Sequence, residues 1–231
     1  MHVATLIQDQ CVVKPLEKKY EDEIRSIARE MGISEHFIIR KMNHKELLLY
    51  GYHNAVISLP VLFGFIPIGK TLCLCINEEF YKSLSDEEKR FLIGHEMVHI
   101  EKKDPVYKLC GLGALIFSNL LSNLAVNFFM MKKIVPEEYC ISPIIIGFVI
   151  GIFSVETFLF YSRHIESRAD ILCLQKLQAY AGCLALLERW NKDYGLPDET
   201  PFWGLLSSHP SNNIRRINCQ TLKNKANKCK K

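Results

Sequence analysis

A chain of 231 residues with 48% apolar and 23% charged residues carries enough apolar material for a folded core and is too hydrophobic for a disordered chain. Its net charge of +4 comes without basic runs interleaved with aromatics, so nucleic acid is not an expected partner. The nine cysteines include no Cys-x-x-Cys pair and lie in apolar stretches, which argues against a disulfide framework and for a reducing compartment.

In chain order, the first ten residues show no basic stretch followed by an apolar run, so no cleavable signal peptide is expected. Pro15 to Met31 reads as an amphipathic helix, with Leu16, Ile24, Ile27, Ala28 and Met31 apolar among charges and Gly32 as its stop. Phe37 to Arg40 reads as a short strand, Leu47 to Leu59 as a second extended segment ended by Pro60, and Thr71 to Ile76 as a third. Gly64, Pro67 and Gly69 mark a loop between the last two. Ser85 with Glu88 forms a capping box, and the helix behind it is expected to reach about Lys103, where Asp104-Pro105 ends it.

Two long apolar runs follow. Leu109 to Met131 holds no charge over 23 residues, and Ile141 to Tyr161 holds only Glu156. Each meets the roughly 20 residues that a membrane-spanning helix needs. A polar turn with Lys132, Lys133 and Pro136 separates them, so residues 109–161 read as a transmembrane hairpin inserted into one domain spanning 1–231. Asn119, Asn123 and Asn127 recur every four residues, a stripe suited to helix packing inside a bilayer. The alternative is a hydrophobic hairpin folded into a soluble core. A helical pattern resumes from Arg163 to about Trp190, Gly195-Leu196-Pro197 breaks it, and a last helix starts near Asn212; Lys223 to Lys231 reads as a solvated tail. The fold class is therefore α+β, mostly helical, with a small sheet upstream of the central helix.

The chemistry centres on His95-Glu96-Met97-Val98-His99. Histidines at i and i+4 leave one helix face together, so their ring nitrogens can meet a single ion, and the glutamate between them is turned to reach water bound there. Gly94 lets another chain approach this helix closely. Zinc in a catalytic site takes a third protein ligand. His164, Glu166, Asp170, His209 and Glu156 are the candidates. Glu166 stands out because Asp170, one turn further on, is placed to accept a hydrogen bond from a ligand histidine. His164 falls on another face, and Glu156 sits two turns from a charge partner, Arg163.

The stretch HEMVHIEKKD, two hydrophobic helices, SRHIESRAD and SHPSNNIRRI together resemble the HtpX-type membrane metallopeptidases and the related CAAX prenyl endopeptidases, both gluzincins. The likeness runs from about Arg25 to Ile217, without the N-terminal membrane helices of HtpX and with two arginines, Arg215 and Arg216, where the last motif has one. What the resemblance implies is one Zn2+ per chain on His95, His99 and Glu166, Glu96 as general base, and Asp170 orienting a histidine. Asn54-Ala55 would belong to an edge strand that receives a peptide or protein substrate as an added strand. His209 would stabilise the developing oxyanion, with an uninvolved loop histidine as the alternative.

The expected activity is endopeptidase cleavage of membrane or membrane-proximal proteins by a glutamate-activated, zinc-bound water. A lipid bilayer is the second expected partner. Lys102, Lys103, Lys108, Arg163 and Arg168 at the hairpin base outnumber Lys132 and Lys133 in its turn, which puts the catalytic part in the cytoplasm. The rival from another class is a membrane signalling or scaffold protein that keeps the zinc-site fold without turnover.

Overall fold

The computed structural model describes residues 16–33, 37–42, 56–63, 66–131, 143–194 and 209–229. Helix α1 (Lys18–Glu30) buries Ile24, Ile27 and Ala28 at helical spacing, and Gly32 leaves it at φ 71°. Three strands follow, β1 (Phe37–Met42), β2 (Val56–Phe63) and β3 (Ile66–Asn77), in the order β1-β3-β2. β3 runs parallel to β1 and antiparallel to β2. Leu72 to Ile76 are all buried, because a central strand has both faces covered; this is why the segment reads as an unbroken apolar run.

Two expectations are corrected here. β2 does not stop at Leu59 but passes through Pro60 to Phe63, with an irregular register between Pro60 and Leu62. Proline lacks a donor for the ladder, and an edge strand with a register break is where it is tolerated. β3 begins at Ile66, so Pro67 and Gly69 lie in a strand, not in a loop. Residues 47–55 of the second extended segment lie outside the described residues.

Asn77 caps the short α2 (Glu78–Ser83), its side chain accepting from the Phe80 amide at 3.2 Å. Helix α3 (Asp86–Lys102) opens on the expected capping box: Ser85 Oγ accepts from the Glu88 amide, and the Ser85 amide donates to the Glu88 carboxylate. Arg189 then holds Glu88 from α6. Every residue from Phe91 to Ile100 is buried, so α3 is the central helix of the molecule and not a surface helix with one apolar face. It packs against α1, β2, α4, α5 and α6. At Gly94, Cys173 and Leu177 of α5 fill the space a β-carbon would take, so the glycine does permit the close approach expected.

Lys103, in the left-handed region at φ 57°, ends α3. Asp104-Pro105 then opens α4 (Asp104–Met131), with proline in the first turn where its missing N–H costs nothing. Helix α5 (Pro143–Leu177) is a single helix of 35 residues. The expected helix over Arg163 to Trp190 is thus two pieces: its first half continues the second apolar run, and the break falls at Gln178, φ 53°, before α6 (Tyr180–Tyr194). Composition changes near Tyr161, from the apolar run to the charges that begin at Arg163, yet the helix does not break there, because backbone hydrogen bonding continues through the change. Residues 195–197 and the turn at 132–142 lie outside the described residues. Helix α7 (Asn212–Cys229) takes in most of the lysine-rich end expected to be a tail.

The two apolar runs pack on each other and on little else. Asn119 and Asn123 donate to the carbonyls of Leu115 and Asn119, and their side chains face Gly151 and Gly147 of α5. These amide bonds run within their own helix and not across to α5 as the stripe implied, and Asn123 and Asn127 are both exposed. Phe117 is 60% exposed, Phe153 69% and Phe160 70%, so the alternative of a hairpin folded into a soluble core does not hold. Among the described residues two helices are long and apolar enough to cross a membrane, over Asp104–Phe128 and Gly147–Leu177.

Candidate metal centre

The site is built where α3 crosses the lower half of α5. Nε2 of His95 lies 3.0 Å from Nε2 of His99, and Oε2 of Glu166 lies 3.2 Å from the first and 3.5 Å from the second. All three residues are buried. Four-coordinate zinc, about 2.0–2.2 Å from each nitrogen and oxygen, would set ligand atoms roughly 3.3–3.5 Å apart, so this triangle fits one face of its tetrahedron. Glu96 is close by: it and the two histidines offer atoms within 4.8 Å of one another, and it is 8% exposed. The two glutamates are separated by geometry. Glu166 faces both nitrogens from a second helix, whereas Glu96 leaves the same helix as the histidines, between them.

The far nitrogen of each imidazole is also held. Nδ1 of His95 is 2.8 Å from Oδ1 of Asp170, the partner expected for it. Arg215 donates to Asp170 through Nε at 2.6 Å and Nη2 at 2.8 Å, and its guanidinium lies over the Trp190 ring. Arg215 is buried, which decides between the two arginines of the last motif. Nδ1 of His99 is 2.9 Å from Oδ2 of Asp104, whose other oxygen is bonded by Arg168. A carboxylate behind each ring makes Nδ1 the protonated nitrogen of the neutral imidazole, so Nε2 is the nitrogen each ring has left to offer a metal ion.

Burial pushes the His95 imidazole down, but its hydrogen bonds with Asp170 and Glu166 outweigh that and raise it to about 10. His99 is raised as well: burial opposes, and hydrogen bonds with Asp104 and Glu166 prevail. For Arg215, burial lowers the pKa and the charge of Asp170 raises it, with a net rise.

Two further side chains touch Glu166. Lys108 donates to its Oε1 at 2.7 Å, leaving Oε2 toward the histidines. Nδ1 of His209 is 3.1 Å from Oε2, so His209 does stand at the centre, with its side chain 45% exposed at the rim. His164 is exposed, and Glu156 pairs with Arg163 at 3.7 Å, as expected of each. Asn54 and Ala55 lie outside the described residues, immediately before β2. β2 itself is an edge strand among the described residues and lies against α3 and α4.

Sequence reasoning missed Asp104, Arg168 and Lys108 as parts of this centre. Asp104 reads as half of a helix stop, and the other two read as charges beside a membrane helix. An acid five residues beyond the second histidine was visible in the sequence, but its burial against that ring was not.

A small sheet beside a buried His-Glu-x-x-His helix, with a carboxylate brought in from a second helix, is the arrangement of a metallopeptidase. The chain matches the model of Peptidase family M48 over residues 50–222 and belongs to that family, whose members are zinc-dependent metallopeptidases, as the likeness to HtpX-type and CAAX prenyl endopeptidases implied. No curated protein matches the chain closely enough for comparison.

Proposed function

We propose that this protein is a membrane-embedded zinc endopeptidase of the gluzincin type, with His95, His99 and Glu166 as the residues that hold the metal. The observation that carries this reading is the meeting of two Nε2 atoms and one carboxylate oxygen 3.0–3.5 Å apart, each imidazole backed by its own carboxylate. When bound there, zinc supplies Lewis acidity, polarising a carbonyl and lowering the pKa of a coordinated water to about 7.

The protein's own groups do the rest. Glu96, buried beside the histidines, takes a proton from the attacking water as its oxygen bonds to the scissile carbon. Glu96 then returns that proton to the amide nitrogen as the C–N bond breaks, and the second proton of the water passes to the departing amine, leaving a carboxylate and an ammonium ion. His209, at the rim, donates a hydrogen bond to the oxyanion that develops. The outer edge of β2, unpaired among the described residues and preceded in the chain by Asn54 and Ala55, takes the substrate as an added strand, so backbone hydrogen bonds hold an extended peptide whatever its side chains.

The exposed apolar faces of α4 and of the upper half of α5 support insertion in a bilayer, with membrane or membrane-proximal proteins as substrates. The excess of Lys and Arg at the hairpin base supports a catalytic part on the cytoplasmic side. The test is Glu96→Gln, purified in detergent beside the wild type. Both should carry one zinc, and the variant should lose at least about 100-fold in cleavage of an unstructured protein. Zinc-loaded wild type that cleaves none of a varied set of membrane and unfolded substrates would instead make the protein a scaffold.

A further inference from the structure

The two histidines of the centre are held alike. His95 passes from Nδ1 to Asp170 and on to Arg215; His99 passes from Nδ1 to Asp104 and on to Arg168. We infer that Asp104 is a positioning residue of the metal centre, fixing the ring of His99 and its tautomer, and that Arg168 holds Asp104 in place. This rests on the metal-centre reading given above.

Asp104 is 2% exposed. A carboxylate so buried is costly unless it is paired, and both its oxygens are used, Oδ2 on His99 and Oδ1 on Arg168. A carboxylate only accepts, so Nδ1 of His99 must donate, and the lone pair is left on Nε2, 3.0 Å from Nε2 of His95.

The backbone is shaped for this contact. Had α3 continued, the residue five places after His99 would lie about 140° around the helix axis and point elsewhere. Instead Lys103 enters the left-handed region and turns the chain, and Asp104 comes back against the ring. Pro105 then starts α4 in the new direction. Because Asp104 is the first residue of α4 and Arg168 sits two residues after Glu166 on α5, one carboxylate ties His99 to both helices of the hydrophobic hairpin.

The experiment measures zinc affinity in detergent, by competition with a chromophoric chelator, together with the thermal midpoint of the metal-free protein. Asp104→Ala should weaken zinc binding about 10- to 100-fold, the range for removing such a partner of a ligand histidine. Asp104→Asn should weaken it less, since its carbonyl still accepts from Nδ1–H without the charge. Arg168→Met, which leaves Asp104 in place, should also weaken it, and it carries the test if the alanine variant fails to fold. Ser85→Ala is the control: loss of the α3 cap lowers the metal-free midpoint while zinc affinity stays within about twofold. Asp104 variants that bind zinc as tightly as wild type, or lose affinity only in proportion to their unfolded fraction, would overturn the positioning role and leave the metal centre standing. A wild type that takes up no zinc would overturn both.

Discussion

Helix α5 is one continuous helix that lives in two surroundings. Before Tyr161 its large apolar side chains face outward, as Phe153 and Phe160 do; beyond it, Ile165, Ala169 and Cys173 are fully buried against the rest of the protein. The sequence in both halves is hydrophobic enough for a core. What differs is whether protein is there to cover it. Apolar surface left open on both helices of the hairpin is the surface that the proposed bilayer would cover. The lower half owes its burial to α3 and α7, and the residues of α5 that meet the histidines of α3, Glu166 and Asp170, lie on that half alone.

The largest expected effect of probing this contrast comes from truncating matched leucines. Leu174→Ala, in the buried half, should destabilise the protein in detergent by about 2–5 kcal/mol, read from denaturant or thermal midpoints. Leu120→Ala on α4, 55% exposed, should change it by less than about 0.5 kcal/mol, because detergent replaces the lost contacts. Equal losses at both positions would mean that the hairpin is covered by protein.

A charge probes the other direction. Phe153→Asp should cost about 3 kcal/mol of membrane insertion and shift the protein out of the membrane fraction, though a soluble helix would tolerate the same change at an exposed site. Unchanged recovery in that fraction would argue that Phe153 faces water.

Glycines sharpen the comparison further. A β-carbon at Gly182 of α6 would collide with the backbone carbonyl of Glu87, so Gly182→Ala should cost about 1–3 kcal/mol by overpacking the start of α3. Nothing lies within 4 Å of a β-carbon at Gly113 in the hairpin, and Gly113→Ala should stabilise α4 by up to about 1 kcal/mol. Differential scanning in one detergent would compare them directly.

The effect of pH is graded and not a single step. The metal-free His95 holds its proton up to about 10, well above the ordinary imidazole. Since its folded pKa is raised, that contribution to stability is complete below about 6.5 and is lost as pH climbs toward 10. Zinc has to displace the same proton, so its affinity should rise with pH by up to about tenfold per unit through the neutral range, with proton release measurable by titration in buffers of different ionisation enthalpy. A zinc affinity flat between pH 6 and 9 would contradict the raised His95.

The sequence by itself determined what depends on neighbours along the chain. The capping box of α3, the i and i+4 histidines, the apolar spacing of α1 and the two membrane-length runs are all set by residues within a few turns of each other. Glu166 and Asp170 were legible for the same reason, being one turn apart on one helix. Only the tertiary structure decided the rest. That Arg215 and not Arg216 reaches Asp170 depends on how α7 lies across α5, 45 residues away in the chain. Asp104 and Arg168, separated by 64 residues, meet only because the hairpin between them folds back. Pro60 stays in a strand because β2 is an edge, which no window around proline records. Local periodicity is written in short-range spacing, but the partner of a buried charge is chosen by burial itself, which forces whichever opposite group the packing brings near to satisfy it.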